Sequence, residues 1–204
     1  MEFRAFKNGS YIFKTAQDEQ VRVEVKDVPA SREITGPWEI RFPEGWGAPA
    51  SKTFPKLISW TDDSDEGVKY FSGIATYHKD FDLSTDQLQA DRELYLDLGR
   101  IRFVADVHLN GKHLGILWKP PFRVNITEAA KAGRNELVIE VANTWSNRLV
   151  GDAHSPEGQR FCRTNIIRSL TWQVPWKDTP LLESGLLGPV QLIAAKKLTV
   201  KLPN

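Results

Sequence analysis

Apolar and polar residues alternate with a period of two along most of this chain, the pattern of β-strands with one buried face. The alternation is clearest before residue 110, where it predicts a strand with a buried face made of Ile101, Phe103, Ala105, Val107 and Leu109. Asn110-Gly111 follows, the dipeptide that most favours a two-residue type I′ turn because both central residues need positive φ. Residues 112–117 run back as the partner strand. The pattern therefore predicts a β-hairpin, around which the remaining elements can be placed.

Shorter alternating stretches predict further strands on both sides of this hairpin. They lie at residues 38–42, 73–81, 93–98, 122–126, 137–141, 190–193 and 198–202. One helical turn is predicted at residues 127–132, with Thr127 as N-cap and Gly133 as its stop. Residues 43–68 and 144–188 are predicted to be irregular, and long irregular segments are often binding elements. Many short strands with almost no helix predict an all-β protein, a jelly-roll β-sandwich.

The first 30 residues are predicted to form a short N-terminal β-hairpin extension with a charged tip. Its strands lie at residues 11–13 and 21–25, and Pro29 ends it. An isolated hairpin buries too little surface to be stable, so it must pack on the main domain or on something upstream. We therefore expect residues 1–30 to be a hairpin, the tail of a preceding domain, and residues 31–204 to be the sandwich.

Charge and composition narrow the class of partner. Lys plus Arg number 27 and Asp plus Glu number 26, which argues against nucleic acid or an anionic membrane and suits neutral sugars. No apolar run approaches the ~20 residues of a membrane helix, and no signal-peptide pattern is present at the N-terminus. The single cysteine, Cys162, excludes an internal disulfide and a cysteine-based zinc cage.

Three runs of sequence carry a family resemblance. They are FSGIATY at 71–77, LNGKHLGILWKPPFRVNIT at 109–127 and VANTWSNRLVGD at 141–152. They resemble the sugar-binding, galactose-binding-domain-like jelly roll of glycoside hydrolases, which family 2 enzymes carry N-terminally. The WKPPF and WSNRLVGD runs, with GLLGPVQL at 185–192, look closer to the C-terminal sandwich of family 106 α-L-rhamnosidase-like enzymes. The resemblance covers residues 37–193.

This resemblance implies a non-catalytic carbohydrate-binding or structural accessory domain of a glycoside hydrolase that acts on plant-type or rhamnose-containing glycans. The parent enzyme is then expected to be rhamnosidase-like or β-galactosidase/β-glucuronidase-like and extracellular or periplasmic. The implied partners are an oligosaccharide or polysaccharide and the catalytic domain of the same polypeptide. Predicted strands and helices do not alternate along this chain, so the sequence does not predict a catalytic barrel. Two alternatives stay open: a small stand-alone glycoside hydrolase, and a domain-docking module without sugar affinity.

Aromatic residues in the irregular segments are the candidate sugar-binding residues. An indole offers a flat apolar surface to a pyranose ring, and neighbouring polar side chains bind the hydroxyl groups. The candidates are Trp118, Lys119, Asn143, Trp145, Asn147, Arg148, Asp152, Trp172 and Trp176. In the alternative interpretation the tryptophans plug the ends of the sandwich and the asparagines satisfy loop backbone groups. Arg148 and Asp152 are then a structural ion pair at i,i+4 spacing.

Residues 62–66, Asp-Asp-Ser-Asp-Glu, are the one dense acidic cluster. Glycoside hydrolysis needs two carboxyl groups roughly 5 to 9.5 Å apart, one with a raised pKa in a dry pocket. A polar loop beside Trp60 predicts solvated carboxylates instead. An EF-hand-type calcium loop fails because Gly73 occupies the position of the bidentate glutamate. A structural calcium of another geometry stays open as an alternative without support from a motif, and no cofactor is predicted.

A two-residue turn at Asn110-Gly111 places His108 opposite His113, with Asp106 on the same face. Two imidazoles and a carboxylate are a possible zinc-binding set. This face is opposite the buried one, so an exposed cross-strand pair is the favoured interpretation. A nucleophile elbow of the G-x-S-x-G type is absent, and Cys162 has no evident base partner.

Overall fold

The computed structural model describes residues 1–201, which contain fifteen strands, two short α-helices and connecting loops. The strands are β1 (Glu2–Ala5), β2 (Gly9–Lys14), β3 (Gln20–Val25), β4 (Arg32–Glu33), β5 (Trp38–Arg41), β6 (Ser51–Phe54), β7 (Ile74–Leu83), β8 (Arg92–Asp97), β9 (Arg100–Arg102), β10 (Val104–Leu109), β11 (Lys112–Leu117), β12 (Arg123–Asn125), β13 (Gly133–Ala142), β14 (Gly185–Gly188) and β15 (Gln191–Thr199). The helices are α1 (Glu66–Lys69) and α2 (Ser146–His154).

Two antiparallel sheets face each other across the core. The first has five strands, in the order β1-β15-β8-β12 with β4 also paired to β15. The second has six strands, in the order β11-β10-β13-β7-β5-β6. Two small pairs, β2 with β3 and β9 with β14, complete the structure. The predicted all-β sandwich is confirmed.

The core is built from the inward positions of the alternating strands. In β13 these are Leu137, Ile139 and Val141, each fully buried. Trp60 and Tyr77 form the polar centre of this core, where the Trp60 indole N–H donates to the Tyr77 Oη at 2.7 Å. Burial raises the pKa of Tyr77 well above its usual value. The Tyr77 hydroxyl also accepts the Leu186 amide at 3.0 Å, so it links β7 to β14 within the core.

The predicted central hairpin is confirmed, with one correction. β10 and β11 pair as expected, and Asn110 and Gly111 have the positive φ values of 51° and 79° that a type I′ turn needs. Phe103, however, is 37% exposed rather than buried. The alternation breaks at this residue because β9 pairs with β14 whereas β10 pairs with β13.

The single helical turn predicted at residues 127–132 is present, whereas α1 and α2 lie in segments predicted to be irregular. Residues 127–132 form a single turn, in which the amides of Ala129 and Ala130 both donate to the Ile126 carbonyl, and no helix follows. The segment at 144–188, predicted to be irregular, contains α2 and β14. α2 buries polar side chains, so it lacks the apolar stripe by which a helix is recognised. Neither helix of the described residues is long and apolar enough to cross a membrane.

The N-terminal residues are attached to the main sheet. β2 and β3 form the predicted hairpin, but β1 before them pairs with β15. The Arg4 guanidinium donates to both carboxylate oxygens of Glu93 on β8, and this contact lowers the pKa of Glu93. The division into residues 1–30 and 31–204 stays a prediction. Leu202, the predicted end of the last strand, lies outside the described residues.

Candidate functional site

One end of the six-stranded sheet carries an open cavity of about 530 Å³. It forms where β5 and β13 end and β7 begins, because antiparallel neighbours alternate in direction and these three termini meet. The cavity is lined by Pro43, Trp46, Ser72, Gly73, Ile74, Asn143, Trp145, Arg148 and Cys162. Loops at the end of a rigid sheet are a common location for binding residues.

Two indole rings line this cavity and remain open to solvent. Trp145, the residue before α2, is 65% exposed, and Trp46 is 41% exposed. Trp46 lies between Gly45 and Gly47, whose φ values of 82° and 87° suit glycine. A Cβ at Gly47 would lie 2.8 Å from the Phe161 ring, so the Trp46 loop packs closely on the segment that carries Phe161. Large exposed aromatic surfaces in a concave site are typical of ligand binding.

Arg148 provides a buried cation in the cavity wall. It comes from the first turn of α2 and is only 4% exposed. Its guanidinium lies 4.5 Å from the centroid of the Phe161 ring, and burial lowers the pKa of Arg148. Nη1 donates to the Trp46 carbonyl at 3.5 Å, the long limit of a hydrogen bond. Nε has no hydrogen-bond partner among the described residues.

Asp152 faces Arg148 one turn later on α2 and balances its charge. Its Oδ1 lies 3.3 Å from Arg148 Nε, an ionic contact whose angle does not make a hydrogen bond. The carboxylate accepts the backbone N–H groups of Phe161 at 3.2 Å and Cys162 at 2.7 Å. Burial raises the pKa of the Cys162 thiol. Asp152 therefore both neutralises the cation and holds the segment at 161–162 against the cavity.

The side-chain amides of Asn143 and Asn147, both predicted to bind sugar, form hydrogen bonds with backbone groups of the protein. Asn143 donates to the Phe71 carbonyl and accepts from the Gly73 amide, which ties the end of β13 to the start of β7. Asn147 is 2% exposed, donates to the Leu182 carbonyl and accepts from the Leu182 amide. Asn143 therefore positions part of the cavity wall, and Asn147 ties α2 to the backbone at Leu182. Both satisfy backbone groups, as the alternative interpretation predicts.

The other four predicted residues lie away from this cavity. Trp118 is 67% exposed, and Lys119 Nζ lies 5.4 Å from its ring centroid. Trp172 is 40% exposed, and the Trp176 indole N–H donates to the Ile166 carbonyl at 2.8 Å. The structure thus brings together Asn143, Trp145, Arg148 and, behind them, Asp152. Trp46 was missed, although its Gly-Trp-Gly setting in a long loop was a signal for it.

The acidic cluster at 62–66 has a structural role in the described chain. Asp63 is buried rather than solvated as predicted, and it pairs with Lys52. Its carboxylate also accepts the Asp65 amide, while the Asp65 side chain caps α1 by accepting the Gly67 amide. Asp63 and Asp65 therefore serve as acceptors for local backbone donors.

The sandwich and its end cavity define a class of domain, the galactose-binding-domain-like β-sandwich. Residues 61–188 match the family described as "Glycosyl hydrolase 2 galactose-binding domain-like". This match covers more than half of the chain, so the chain belongs to that family. The resemblance noted in the sequence is confirmed. Domains of this family typically need no cofactor.

Individual relatives are much longer than this chain. A putative beta-glucuronidase of Formosa agariphila is 37% identical in an alignment of 201 positions that covers 90% of this chain and 17% of the relative. The structure of a rhamnosidase from Novosphingobium sp. PP1Y is 39% identical, with a TM-score of 0.72 over 88% of this chain and 16% of the rhamnosidase. A Ruminococcus gnavus beta-glucuronidase shares the fold, with a TM-score of 0.56 at 19% identity over 84% of this chain and 30% of that enzyme. The chain corresponds to one domain of glycoside hydrolase family proteins.

Proposed function

We propose that this chain is a non-catalytic carbohydrate-binding domain of a glycoside hydrolase. The observation that carries the proposal is the end cavity, which is lined by two exposed indoles and by the largely buried guanidinium of Arg148. A sugar ring matches this arrangement because one face is apolar and the edges carry hydroxyl groups. The cavity volume falls in the range of small-molecule sites.

In the proposed complex the pyranose packs against Trp145, and Arg148 donates to a hydroxyl or carboxylate oxygen. A hydrogen bond from a charged donor such as a guanidinium contributes about 1.5–3 kcal/mol. Asp152 and Phe161 hold the guanidinium in place before the ligand arrives, so little ordering is needed on binding. The site is therefore organised in advance for a polar ligand with one apolar face.

The buried carboxylates support a non-catalytic role. Within the described residues Asp63, Glu93 and Asp152 are the buried acidic side chains, and each contacts a cation: Lys52, Arg4 and Arg148, respectively. A glycosidase acid must hold its proton near neutral pH, whereas a neighbouring cation favours the ionised form. These three pairings do not suit a general acid, which argues against the stand-alone hydrolase.

The proposed ligands are glycans that contain rhamnose or a uronic acid. Two relatives are described as a rhamnosidase and a putative beta-glucuronidase, and a cationic Arg148 suits the carboxylate of a uronate. The catalytic domain is proposed to lie elsewhere in the same polypeptide, since the chain spans only 16–17% of these relatives.

Trp145→Ala tests the binding site, and Trp118→Ala is its matched control. The two indoles are 65% and 67% exposed, but only Trp145 lines the cavity. We expect Trp145→Ala to weaken sugar binding by about 1–2 kcal/mol, roughly five- to thirtyfold, through loss of one stacking surface. Trp118→Ala should leave the affinity unchanged. Tryptophan fluorescence during titration with L-rhamnose, D-glucuronic acid, D-galactose and their oligosaccharides measures both.

Either of two outcomes would overturn the proposal. One is the absence of a saturable response of the wild-type chain to any of these sugars at millimolar concentration. The other is a Trp145→Ala variant that binds as the wild type does. The thermal midpoint of each variant provides the folding control, because substitutions of exposed side chains usually change stability by less than about 0.5 kcal/mol.

A second candidate function, docking onto another domain, rests on a different surface. The segment at 161–172 exposes four large apolar side chains: Phe161 at 41%, Ile167 at 76%, Leu170 at 79% and Trp172 at 40%. Such a concentration is unusual for a free surface and typical of an interface. The occupant we propose is the catalytic domain of the same polypeptide.

Without that domain, the exposed segment is expected to make the purified chain self-associate. The double variant Ile167→Lys/Leu170→Lys should be monomeric in sedimentation velocity at concentrations where the wild type forms dimers or larger species. Ile12→Lys changes a residue of the N-terminal hairpin that is 51% exposed, and it should not alter the association. A monomeric wild type, or association that survives the double substitution, would contradict the docking role.

A further inference from the structure

The outer face of the central hairpin carries a cluster of one carboxylate and two imidazoles. His108 on β10 pairs directly with His113 on β11, and Asp106 lies two residues before His108 on the same face. A β-bulge shifts the register between Val107 and His108. We propose that Asp106, His108 and His113 form a binding site for a divalent transition-metal ion, with zinc as the best match.

The geometry of the cluster is close to that of a metal site. Asp106 Oδ1 lies 2.7 Å from His113 Nε2 and 3.6 Å from His108 Nε2. One ligand atom from each residue lies within 4.8 Å of the other two. Zinc bonds of about 2.0–2.2 Å in a tetrahedron separate neighbouring ligand atoms by about 3.3 Å. Side-chain movements of about 1–1.5 Å therefore bring all three atoms to bonding distance of one ion.

The donor types select the class of metal. Two imidazole nitrogens with one carboxylate oxygen suit zinc and its neighbours, whereas calcium and magnesium prefer sites made of oxygen alone. The three side chains are 30–54% exposed, so an ion can enter and a water can take the fourth position. Glu140 on β13 pairs with Asp106 and adds a second negative charge on the same exposed face.

The scaffold holds the ligands in place before the metal arrives. β10 is bonded on both sides, to β11 and to β13, so the backbone of Asp106 and His108 is fixed within the sheet. His113 belongs to β11, the outermost strand of the sheet, and a bound ion would tie it to β10. The ion would link β10 to β11 and stabilise the folded chain, because the three ligands are not close together in the unfolded chain.

Titration of the full chain with ZnCl₂ in an isothermal calorimeter tests the site directly. We expect saturable binding at one site per chain and a zinc-dependent rise in the thermal midpoint, with no rise from MgCl₂ or CaCl₂. His113→Ala and His108→Ala should each weaken zinc binding at least about tenfold. His78→Ala is the matched control, since His78 lies on β7 of the same sheet outside the cluster, and it should bind zinc as the wild type does.

The alternative is an exposed histidine pair in which His113 is bonded only to Asp106. Asp106→Asn separates the two cases, because the amide keeps the shape of the side chain and loses the charge that attracts zinc. We expect this variant to fold with unchanged circular dichroism and to bind zinc at least about tenfold more weakly. Absence of saturable zinc binding, or equal weakening by His78→Ala, would overturn the proposal.

Discussion

Arg148→Met is expected to lower the free energy of unfolding by about 3–5 kcal/mol, because it leaves Asp152 buried beside an apolar side chain. Both members of the pair are more than nine-tenths buried. Methionine fills much of the volume that Arg148 occupies next to Phe161. The decrease in the free energy of unfolding therefore reflects the missing charge rather than a new cavity. Urea denaturation followed by circular dichroism measures the effect, with the slope expected to stay constant.

The double variant Arg148→Met/Asp152→Asn is the control for this prediction. Removing both charges eliminates the uncompensated carboxylate. The Phe161 and Cys162 amides bond different oxygens of Asp152, so one of them loses its acceptor when the side chain is a carboxamide. The double variant should therefore be more stable than the sum of the two single losses predicts, by about 1–3 kcal/mol. Strict additivity of the two losses would show that the pair is not coupled.

Gly185→Ala is expected to lower the free energy of unfolding by about 2–5 kcal/mol, from two causes. Gly185 has a φ of +91°, which strains any residue with a Cβ. The added Cβ would also lie 2.6 Å from both Trp60 Nε1 and Tyr77 Oη. These atoms are hydrogen-bonded to each other at 2.7 Å in the centre of the core, so neither can move away freely.

Gly133→Ala separates the two causes. Gly133 has a similar φ of +79°, but a Cβ there would meet nothing within 4 Å. This variant should lose only the backbone strain, about 1–2 kcal/mol. The difference between the two variants in urea denaturation then measures the clash with Trp60 and Tyr77. Equal losses would contradict the tight packing described for this part of the core.

The local alternation of apolar and polar residues was sufficient to predict most strands. It was insufficient where the chain departs from a regular period. The Asn110-Gly111 hairpin was predictable because turn chemistry and alternation agree on one register. The exposure of Phe103 could not be predicted, because it depends on the pairing of β9 with β14 instead of β13. β14 lies more than 80 residues away in sequence. α2 was missed since its buried positions mix polar Asn147, Arg148 and Asp152 with apolar Leu149 and Val150, so the buried face gives no continuous apolar stripe.

The candidate site was predictable only where its residues are contiguous in sequence. Asn143, Trp145, Arg148 and Asp152 come from one run, so their proximity needed no long-range information. Trp118 follows β11, which β10 separates from β13, so the two strand ends lie about 10 Å apart at strand spacings of about 4.8 Å. Trp46 reaches the cavity through the long loop after β5, whose path no sequence period encodes.

The most direct test of the carbohydrate-binding role is the position of the indole N–H signals in two-dimensional ¹H–¹⁵N NMR spectra. The chain has seven tryptophans, and single substitutions to phenylalanine assign their signals. During titration with oligosaccharides that contain rhamnose or glucuronic acid, the signals of Trp145 and Trp46 should shift with one binding curve. Those of Trp118 and Trp172 should stay in place. Shifts confined to Trp118 or Trp172, or no shift with any of these glycans, would contradict the proposed site.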